Sequence, residues 1–231
     1  MPGLIRVGHK GAGHVAPGNT VDSFEAALEH GVDMIEFDVL RTRDGRLVLA
    51  HDYADAASRD PLSLEEGLEH FAGEAYGGVQ LDVDLKLPGY EREVVEGLRR
   101  HGLTERSLVS TMYEESLDRV GELEPGLRRG WSVPRVRRNY LRSPWALPAY
   151  ALARYMRARM PSLAASRIRA GGCEAIMAHS ILVSRRLVRA VHDAGGQLYV
   201  WTVDDPRRIR ALEALGVDGV ITNDPRLFDS A

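Results

Sequence analysis

Two acidic residues lie two positions apart in an apolar segment, and their spacing places both on one side of a strand. Glu36 and Asp38 alternate with Ile35, Phe37 and Val39, which is the two-residue period of a β-strand. Carboxylates that share a face are typical ligands of a hard divalent cation. Taken alone, the pattern fits an edge strand with a solvated polar face better than it fits a metal site. Other residues of the chain are needed to distinguish the two interpretations.

A histidine follows the acidic pair after a turn. The dipeptide Asp44-Gly45 indicates a tight turn, and residues 46–50 predict a second extended segment that ends at His51. This hairpin would return the imidazole towards the acidic strand. An imidazole titrates near pH 6.5, about the value that general acid or base catalysis needs. The adjacent Asp52 either orients His51 or closes a turn, and a polar connection is expected over residues 53–60.

Short apolar strands alternate with amphipathic helices along the whole chain. This alternation predicts a parallel sheet, and at 231 residues a closed (β/α)₈ TIM barrel is the best candidate. An open doubly wound sheet is the alternative, but no glycine-rich nucleotide-binding motif follows a strand. The strands expected in the barrel lie near residues 4–8, 33–42, 79–86, 107–111, 127–133, 174–178, 197–202 and 218–222.

Several chemically active side chains fall at the carboxyl ends of these strands, where barrel enzymes place their catalytic groups. Asp84 joins Glu36 and Asp38 there, and the three carboxylates predict an all-oxygen site for one divalent cation. So many like charges at one opening would be destabilising unless a cation neutralised them. The remaining candidates at the same ends are His9, Lys10, Lys86 and Trp201, with His51 delivered by the hairpin.

The basic residues indicate what the site would act on. His9 and His51 form a candidate acid/base pair. Lys10 and Lys86 are the only lysines in the chain, and their positive charge would suit an anionic group such as a phosphate. Together these residues predict metal-assisted attack on a phosphate ester.

Some residues keep two interpretations. Trp201 is either a wall of the substrate site or core packing, and Asp82 is either a partner of Lys86 or a residue that supports the metal ligands. The histidines expected to be merely solvated are His14, His70 and His101. The weaker candidates at strand ends are Ser110, Thr111, His179 and Thr222.

Composition narrows the class of protein. The net charge of −3 and the absence of a basic tail give no support for a nucleic-acid partner. Cys173 is the only cysteine, which excludes an internal disulfide and a thiolate zinc site. Because the chain has neither a secretory signal nor an apolar run of about 18 residues, a cytoplasmic protein is expected. Residues 1–231 are interpreted as a single domain.

An ordered series of motifs resembles the glycerophosphodiester phosphodiesterase family. The family's signature runs His-Arg-Gly, Pro-Glu-Asn-Thr, Glu-x-Asp-Val, Thr-x-Asp-Gly and His-Asp, and later Glu-x-Lys, Trp-Thr-Val and Gly-Val-Asp-Gly-x-x-Thr. Each motif is weak alone, but the set spans residues 9–222 in order. The matching segments here are His9-Lys10-Gly11, Pro17-Gly18-Asn19-Thr20, Glu36–Val39, Thr42–Gly45, His51-Asp52, Asp84–Lys86, Trp201–Val203 and Gly216–Thr222.

The resemblance implies a TIM barrel that hydrolyses glycerophosphodiesters to an alcohol and glycerol 3-phosphate. In that family the residues that match Glu36, Asp38 and Asp84 hold Mg²⁺ or Ca²⁺. Those that match His9 and His51 do the acid/base work, with the substrate's 2-hydroxyl as first nucleophile. The residue that matches Lys86 contacts the phosphate.

Three departures from the family pattern affect the substrate assignment. Lys10 replaces an arginine, which exchanges a bidentate phosphate fork for a point charge. Asp84 and Gly18 each replace a glutamate. An Asp-x-Lys at this strand is similar to sphingomyelinase D-like phospholipases, so activity on lysophospholipid or sphingomyelin is an alternative. A barrel that binds phosphodiesters without turnover is another, although the two histidines argue against it.

An arginine-rich excursion follows the fifth barrel strand. Residues 134–173 contain many arginines and no Asp, Glu or Lys. Aromatic residues are interleaved with the arginines. A helix over 145–160 could dock on anionic lipid through residues 134–170. The alternative is a helical cap whose apolar side packs on the barrel.

Overall fold

A closed barrel of eight parallel strands forms the centre of the computed structural model, which describes residues 3–134 and 146–229, the side chains of 146–153 excepted. The first strand pairs with both the second and the last, which closes the sheet. The predicted TIM barrel is therefore confirmed. Its strands are β1 (Ile5–His9), β2 (Met34–Arg41), β4 (Gln80–Leu85), β5 (Ser107–Thr111), β6 (Arg128–Val133), β7 (Ala175–His179), β8 (Gln197–Trp201) and β9 (Gly219–Thr222).

A ninth strand lies outside the barrel. Strand β3 (Leu47–Leu49) pairs antiparallel with the end of β2, so that the predicted hairpin is present and ends beside the barrel mouth. Leu49 and Ala50 are fully buried, which fixes the hairpin against the barrel before the chain reaches His51.

Helices surround the barrel and follow its strands. The described residues contain eight of them: α1 (Val21–Glu29), α2 (Tyr53–Ser58), α3 (Leu64–Phe71), α4 (Glu91–Arg100), α5 (Glu114–Leu123), α6 (Ala146–Arg169), α7 (Arg185–His192) and α8 (Pro206–Leu215). Within these residues, none of the helices combines the length and the apolar character needed to cross a bilayer.

Helix α2 corrects the sequence interpretation of residues 53–60 as a polar connection. The carboxylate of Asp52 accepts hydrogen bonds from the backbone nitrogens of Ala54 and Asp55, both at 2.9 Å. A side chain that satisfies the free amides of a first turn stabilises the start of a helix. The short helix has no buried residue, so its polar composition concealed it.

Helix α6 accounts for much of the predicted excursion 134–173. It occupies the chain position of the helix that follows the fifth barrel strand. Met160 and Ala164 on α6 are buried in a core cluster together with Leu187 of α7. Residues 135–145, the first part of the excursion, lie outside the described residues.

The alternation along β2 separates the core from the interior of the barrel. Phe37 points outwards and is fully buried, with its ring 5.0 Å from that of Phe71 and 6.2 Å from that of Phe24. Because successive side chains alternate, Glu36 and Asp38 must then face the barrel interior. Apolar packing outside the barrel therefore fixes the direction of the two acids inside it.

Candidate active site

The barrel register brings the predicted carboxylates together. Glu36 of β2 lies beside His9 of β1 and Asp82 of β4. Two residues further along β2, Asp38 lies beside Asp84 of β4. Oxygen atoms of Glu36, Asp38 and Asp84 all lie within 4.8 Å of one another. Three oxygen donors at this spacing fit a hard divalent cation and leave other coordination positions open.

Burial and mutual repulsion make these carboxylates costly without a cation. Burial, and next the charge of Asp38, raise the pKa of Glu36 well above its ordinary value. Burial would also raise the pKa of Asp38, but the ammonium groups of Lys86 and Lys10 hold it below its ordinary value. A bound dication would favour the ionised form of both acids, so the donor set fits a metal ion in charge as well as in spacing.

Lys86 lies among the predicted metal ligands. Its ammonium is 2.5 Å from an oxygen of Asp84 and also pairs with Asp38. It does not pair with Asp82, which answers one question that the sequence left open. Burial opposes the charged form, yet the carboxylates of Asp38 and Asp84 raise the pKa of Lys86 well above its usual value. The lysine therefore carries a fixed positive charge at the cation site.

Lys10 contributes to the site through its backbone as well as its side chain. Its backbone nitrogen donates to Glu36 Oε2 at 2.8 Å, while its Nζ atom lies 3.8 Å from Asp38 Oδ2. Gly18, one of the departures from the family pattern, packs directly on this side chain. A Cβ atom at position 18 would lie 2.8 Å from that of Lys10. The two departures are thus neighbours in space.

Asn19 is a site residue that the sequence did not reveal. Its side-chain amide donates to Asp38 Oδ2 at 2.8 Å, and its carbonyl accepts from the backbone nitrogen of Asp38 at 3.0 Å. Asn19 is fully buried and has a φ of 60°, a conformation that asparagine tolerates better than most residues. The neighbouring Thr20 caps helix α1. The only feature of the sequence that could have identified Asn19 is its place in the motif Pro17-Gly18-Asn19-Thr20.

His9 is held from both sides. Its Nε2 atom lies 3.8 Å from Glu36 Oε2, and its Nδ1 atom lies 2.6 Å from the side-chain oxygen of Asn223. Burial lowers the pKa of His9 to about 4, against the opposing effect of Asp38. The imidazole is therefore neutral and able to accept a proton. The sequence did not identify Asn223, which follows β9 directly.

His51 reaches the same cavity from the hairpin. Its Nδ1 atom lies 3.0 Å from Asp52 Oδ2, and its backbone nitrogen donates to Asp55 Oδ2 at 3.0 Å. Asp52 thus contacts His51, one of the two roles expected of it, and caps α2 where the sequence interpretation expected a turn. His51 is exposed, whereas His9 is mostly covered. The two histidines differ in how freely solvent reaches them.

An open cavity of about 170 Å³ joins these groups at the barrel mouth. Trp201 forms part of its wall, and its indole nitrogen donates to the backbone oxygen of Met177 at 2.7 Å. Asp82 lies deeper, where burial raises its pKa to about 7. The residues that line the cavity are His9, Glu36, His51, Asp82, Asp84, Lys86, Ser110, Met112, Ser132, Met177, Trp201, Thr202 and Ile221.

Several weaker candidates have structural roles. His179 accepts a hydrogen bond from the backbone of Ile181 and packs edge-on against Trp201. The hydroxyl of Thr111 donates to a backbone oxygen of β4. His70 and His101 contact Tyr76 and Glu65 respectively, away from the cavity, and His14 is exposed. The hydroxyl of Thr222 donates to Asp204, and only Ser110 of this group lines the cavity.

Comparisons with known proteins agree with this geometry. A model of the glycerophosphoryl diester phosphodiesterase family matches residues 9–62 and 92–227. A glycerophosphodiester phosphodiesterase of Caldanaerobacter subterraneus subsp. tengcongensis is 27% identical over 253 residues, which cover 95% of this chain and 93% of that protein.

Solved structures share the fold at lower sequence identity. A phosphodiesterase from Oleispira antarctica, solved in complex with its product sn-glycerol-3-phosphate, superposes with a TM-score of 0.73 at 21% identity. It covers 100% of this chain and 96% of its own. A glycerophosphodiester phosphodiesterase from Agrobacterium tumefaciens superposes with a TM-score of 0.71 at 21% identity, over 99% of this chain and 100% of that one.

Proposed function

Because the chain belongs to the glycerophosphoryl diester phosphodiesterase family, we propose that it hydrolyses glycerophosphodiesters to an alcohol and glycerol 3-phosphate. One observation carries this proposal: Glu36 and Asp84 line a cavity together with His9 and His51, and oxygens of Glu36, Asp38 and Asp84 lie within 4.8 Å of one another, a set that fits a divalent cation. The activity named for the Caldanaerobacter relative and the product bound to the Oleispira neighbour support the same substrate class.

Glu36, Asp38 and Asp84 would hold one divalent cation, Mg²⁺ or Ca²⁺. When bound, such an ion neutralises negative charge on the phosphate and favours attack at phosphorus. Asn19 fixes the position of Asp38 through two hydrogen bonds. The backbone nitrogen of Lys10 fixes the position of Glu36 through one hydrogen bond. Glu36 and Asp38 would therefore be oriented before a cation arrives, which would lower the entropic cost of binding it.

His9 and His51 would move the protons of the reaction. In the first step the 2-hydroxyl oxygen of the glycerol attacks phosphorus, and the bond from phosphorus to the head-group oxygen breaks. One imidazole takes the proton of the hydroxyl, and the other donates a proton to the departing alcohol. In the second step water opens the cyclic phosphodiester with the two roles exchanged, which yields glycerol 3-phosphate and restores both histidines.

Lys86, Lys10 and Trp201 would bind the rest of the substrate. The Lys86 ammonium already lies beside two ligand carboxylates, so it is placed to attract the phosphate of a substrate bound there. The Lys10 ammonium is close to Asp38 but does not line the cavity, and its effect is expected to be smaller. Trp201 would form a wall of the space that holds the glycerol or the head group. Its indole nitrogen already donates to the backbone oxygen of Met177, so the ring would contact the substrate by packing.

A metal-dependent assay on two substrates tests the proposal. Purified protein is incubated with glycerophosphocholine or lysophosphatidylcholine, with Mg²⁺, with Ca²⁺ or with EDTA. We expect choline and glycerol 3-phosphate from the first substrate, and no product in EDTA. Release of choline from lysophosphatidylcholine alone would favour the phospholipase D-like alternative. Binding of glycerophosphocholine without turnover under any condition would favour a non-catalytic barrel.

We propose that residues 1–231 form a single barrel domain. A lipid surface is a second candidate partner, and the exposed side chains of α6 support it. Tyr155 and Leu163 are exposed at 58% and 44%, and Arg159 lies between them at four-residue spacing. Aromatic and aliphatic side chains flanked by arginines suit the interface of an anionic membrane. Sedimentation with phosphatidylglycerol vesicles, but not with phosphatidylcholine vesicles, is expected. Loss of binding in a Tyr155→Ser/Leu163→Ser variant would assign it to α6.

A further inference from the structure

The loops after the last two barrel strands meet at His9. Asp204 follows β8, and Asn223 follows β9. The side-chain nitrogen of Asn223 donates to Asp204 Oδ2 at 2.7 Å, and its backbone nitrogen donates to Asp204 Oδ1 at 2.8 Å. Thr222 adds a hydroxyl donor to the same oxygen at 3.0 Å. Asp204 is thus fixed by three donors from one short segment.

These contacts determine which way the Asn223 amide faces. A carboxylate accepts hydrogen bonds and does not donate them, so the atom of Asn223 that faces Asp204 has to be the nitrogen. The amide oxygen then faces the other way, where it lies 2.6 Å from His9 Nδ1. An amide oxygen accepts only, and therefore His9 Nδ1 carries the proton.

The tautomer of His9 follows from this orientation. A neutral imidazole has one protonated nitrogen, so Nε2 is left with its lone pair. Nε2 lies 3.8 Å from Glu36 Oε2, and His9 lines the cavity. A lone pair on that side can accept a proton from a hydroxyl of a bound substrate. With the opposite tautomer, the same nitrogen would present a hydrogen atom and could not act as a base.

We propose that Asp204 and Asn223 are positioning residues that hold His9 in the tautomer with Nδ1 protonated, which assigns His9 as the group that takes the proton of the attacking hydroxyl. The proton moves from that hydroxyl to Nε2, and it returns to the glycerol oxygen when water opens the cyclic phosphodiester. The catalytic consequence rests on the proposed hydrolase function. The tautomer itself is a property of the folded protein alone.

Nitrogen NMR tests the tautomer without substrate. In ¹⁵N-labelled protein at neutral pH, we expect the Nδ1 resonance of His9 at the position of a protonated imidazole nitrogen and the Nε2 resonance at that of an unprotonated one. In Asp204→Asn the amide of Asn223 can turn round, and the two His9 resonances should exchange character or average. A wild-type protein in which Nε2 carries the proton would overturn the proposal.

An exchange of the two residues tests the consequence for turnover. Asp204→Asn frees the Asn223 amide to turn, and Asn223→Asp places two carboxylates side by side. We expect each to lower kcat by about 100-fold, the usual size of a general-base contribution, with KM within about twofold. In the double variant Asp204→Asn/Asn223→Asp, the new asparagine can donate to the new aspartate, which accepts from His9 Nδ1. Its kcat should return to within about tenfold of wild type.

A neighbouring acid provides the control. Asp205 is exposed and caps α8 through the backbone nitrogen of Arg207, so Asp205→Asn removes the same charge without touching His9. It should keep kcat, whereas full activity in Asp204→Asn would refute the positioning role. A double variant no more active than either single one, but equally stable to heat, would refute it too. If the NMR result holds while the wild-type protein hydrolyses nothing, only the proposed function fails.

Discussion

The Nζ atom of Lys86 lies 2.5 Å from Asp84 Oδ2, inside the group of carboxylates that fits a divalent cation. The ammonium group and a metal ion would neutralise the same negative charges. Under the proposed function, Lys86 would compete with the cation for these carboxylates and would also supply positive charge to a substrate phosphate. Substitutions at Lys86 should separate these two effects.

Lys86→Met should bind Mg²⁺ or Ca²⁺ more tightly, because Asp38 and Asp84 lose their internal counter-ion. Turnover should nevertheless fall by about 100-fold, since a preorganised positive charge at the phosphate is lost. Isothermal titration calorimetry measures the affinity, and the release of glycerol 3-phosphate measures the rate. Lys86→Arg keeps the charge and serves as the matched control. An unchanged dissociation constant in Lys86→Met would show that the ammonium does not compete with the metal.

His9→Ala and His51→Ala should each lower kcat by about 100-fold to 10,000-fold, because each removes one of the two proposed proton-transfer groups. Metal affinity should stay near that of the wild type, since neither imidazole is among the three predicted ligands. Steady-state kinetics and calorimetry on the same preparations check both statements. His101→Ala, which removes a histidine paired with Glu65 outside the cavity, should keep full activity. A near-normal rate in either site variant would remove that histidine from the acid/base pair.

Asn19→Gly should weaken metal binding and destabilise the protein by about 1–3 kcal/mol, because Asp38 loses two buried hydrogen bonds. Glycine tolerates the φ of 60° at this position, so the loss is not due to backbone strain. Urea unfolding and metal titration measure the two effects. Thr20→Ala removes the cap of α1 instead and should cost about 1 kcal/mol without changing metal affinity. Equal metal affinity in wild type and Asn19→Gly would contradict the orienting role.

Thermal unfolding should depend on the divalent cation. A metal at a hundred times its dissociation constant stabilises the folded state by about 2.7 kcal/mol, so the midpoint should rise with Mg²⁺ or Ca²⁺ and fall in EDTA. Glu36→Gln should abolish this response. Glu65→Gln, which neutralises an exposed acid paired with Arg100, should retain it. A metal-dependent midpoint that survives in Glu36→Gln would place the cation elsewhere.

Much of the site could be predicted because its residues obey a local rule. The two-residue alternation around Phe37 places Glu36 and Asp38 on one face, and the Asp44-Gly45 turn returns the chain to His51. Neither inference needs knowledge of distant parts of the chain. The barrel then follows from the succession of strands and helices, and its carboxyl ends gather the candidates.

The remaining features depend on contacts between distant segments. Asn19 meets Asp38 because a residue with positive φ turns its side chain towards β2, and no periodicity encodes that turn. Asn223 meets His9 across 214 positions of the chain. Helix α2 buries no residue, so it lacks the apolar stripe by which helices are usually found. Asp52, the residue that caps this helix, was interpreted from the sequence only as a partner of His51 or as part of a turn.

The restriction of lysine to two positions has a practical consequence. All other Lys/Arg residues of the chain are arginines. Reagents directed at side-chain amines can therefore modify only Lys10 and Lys86. Acylating either would remove a positive charge beside Asp38. Apart from the α-amino group, an amine-reactive dye or solid support could therefore couple only to side chains that lie beside the predicted cation site.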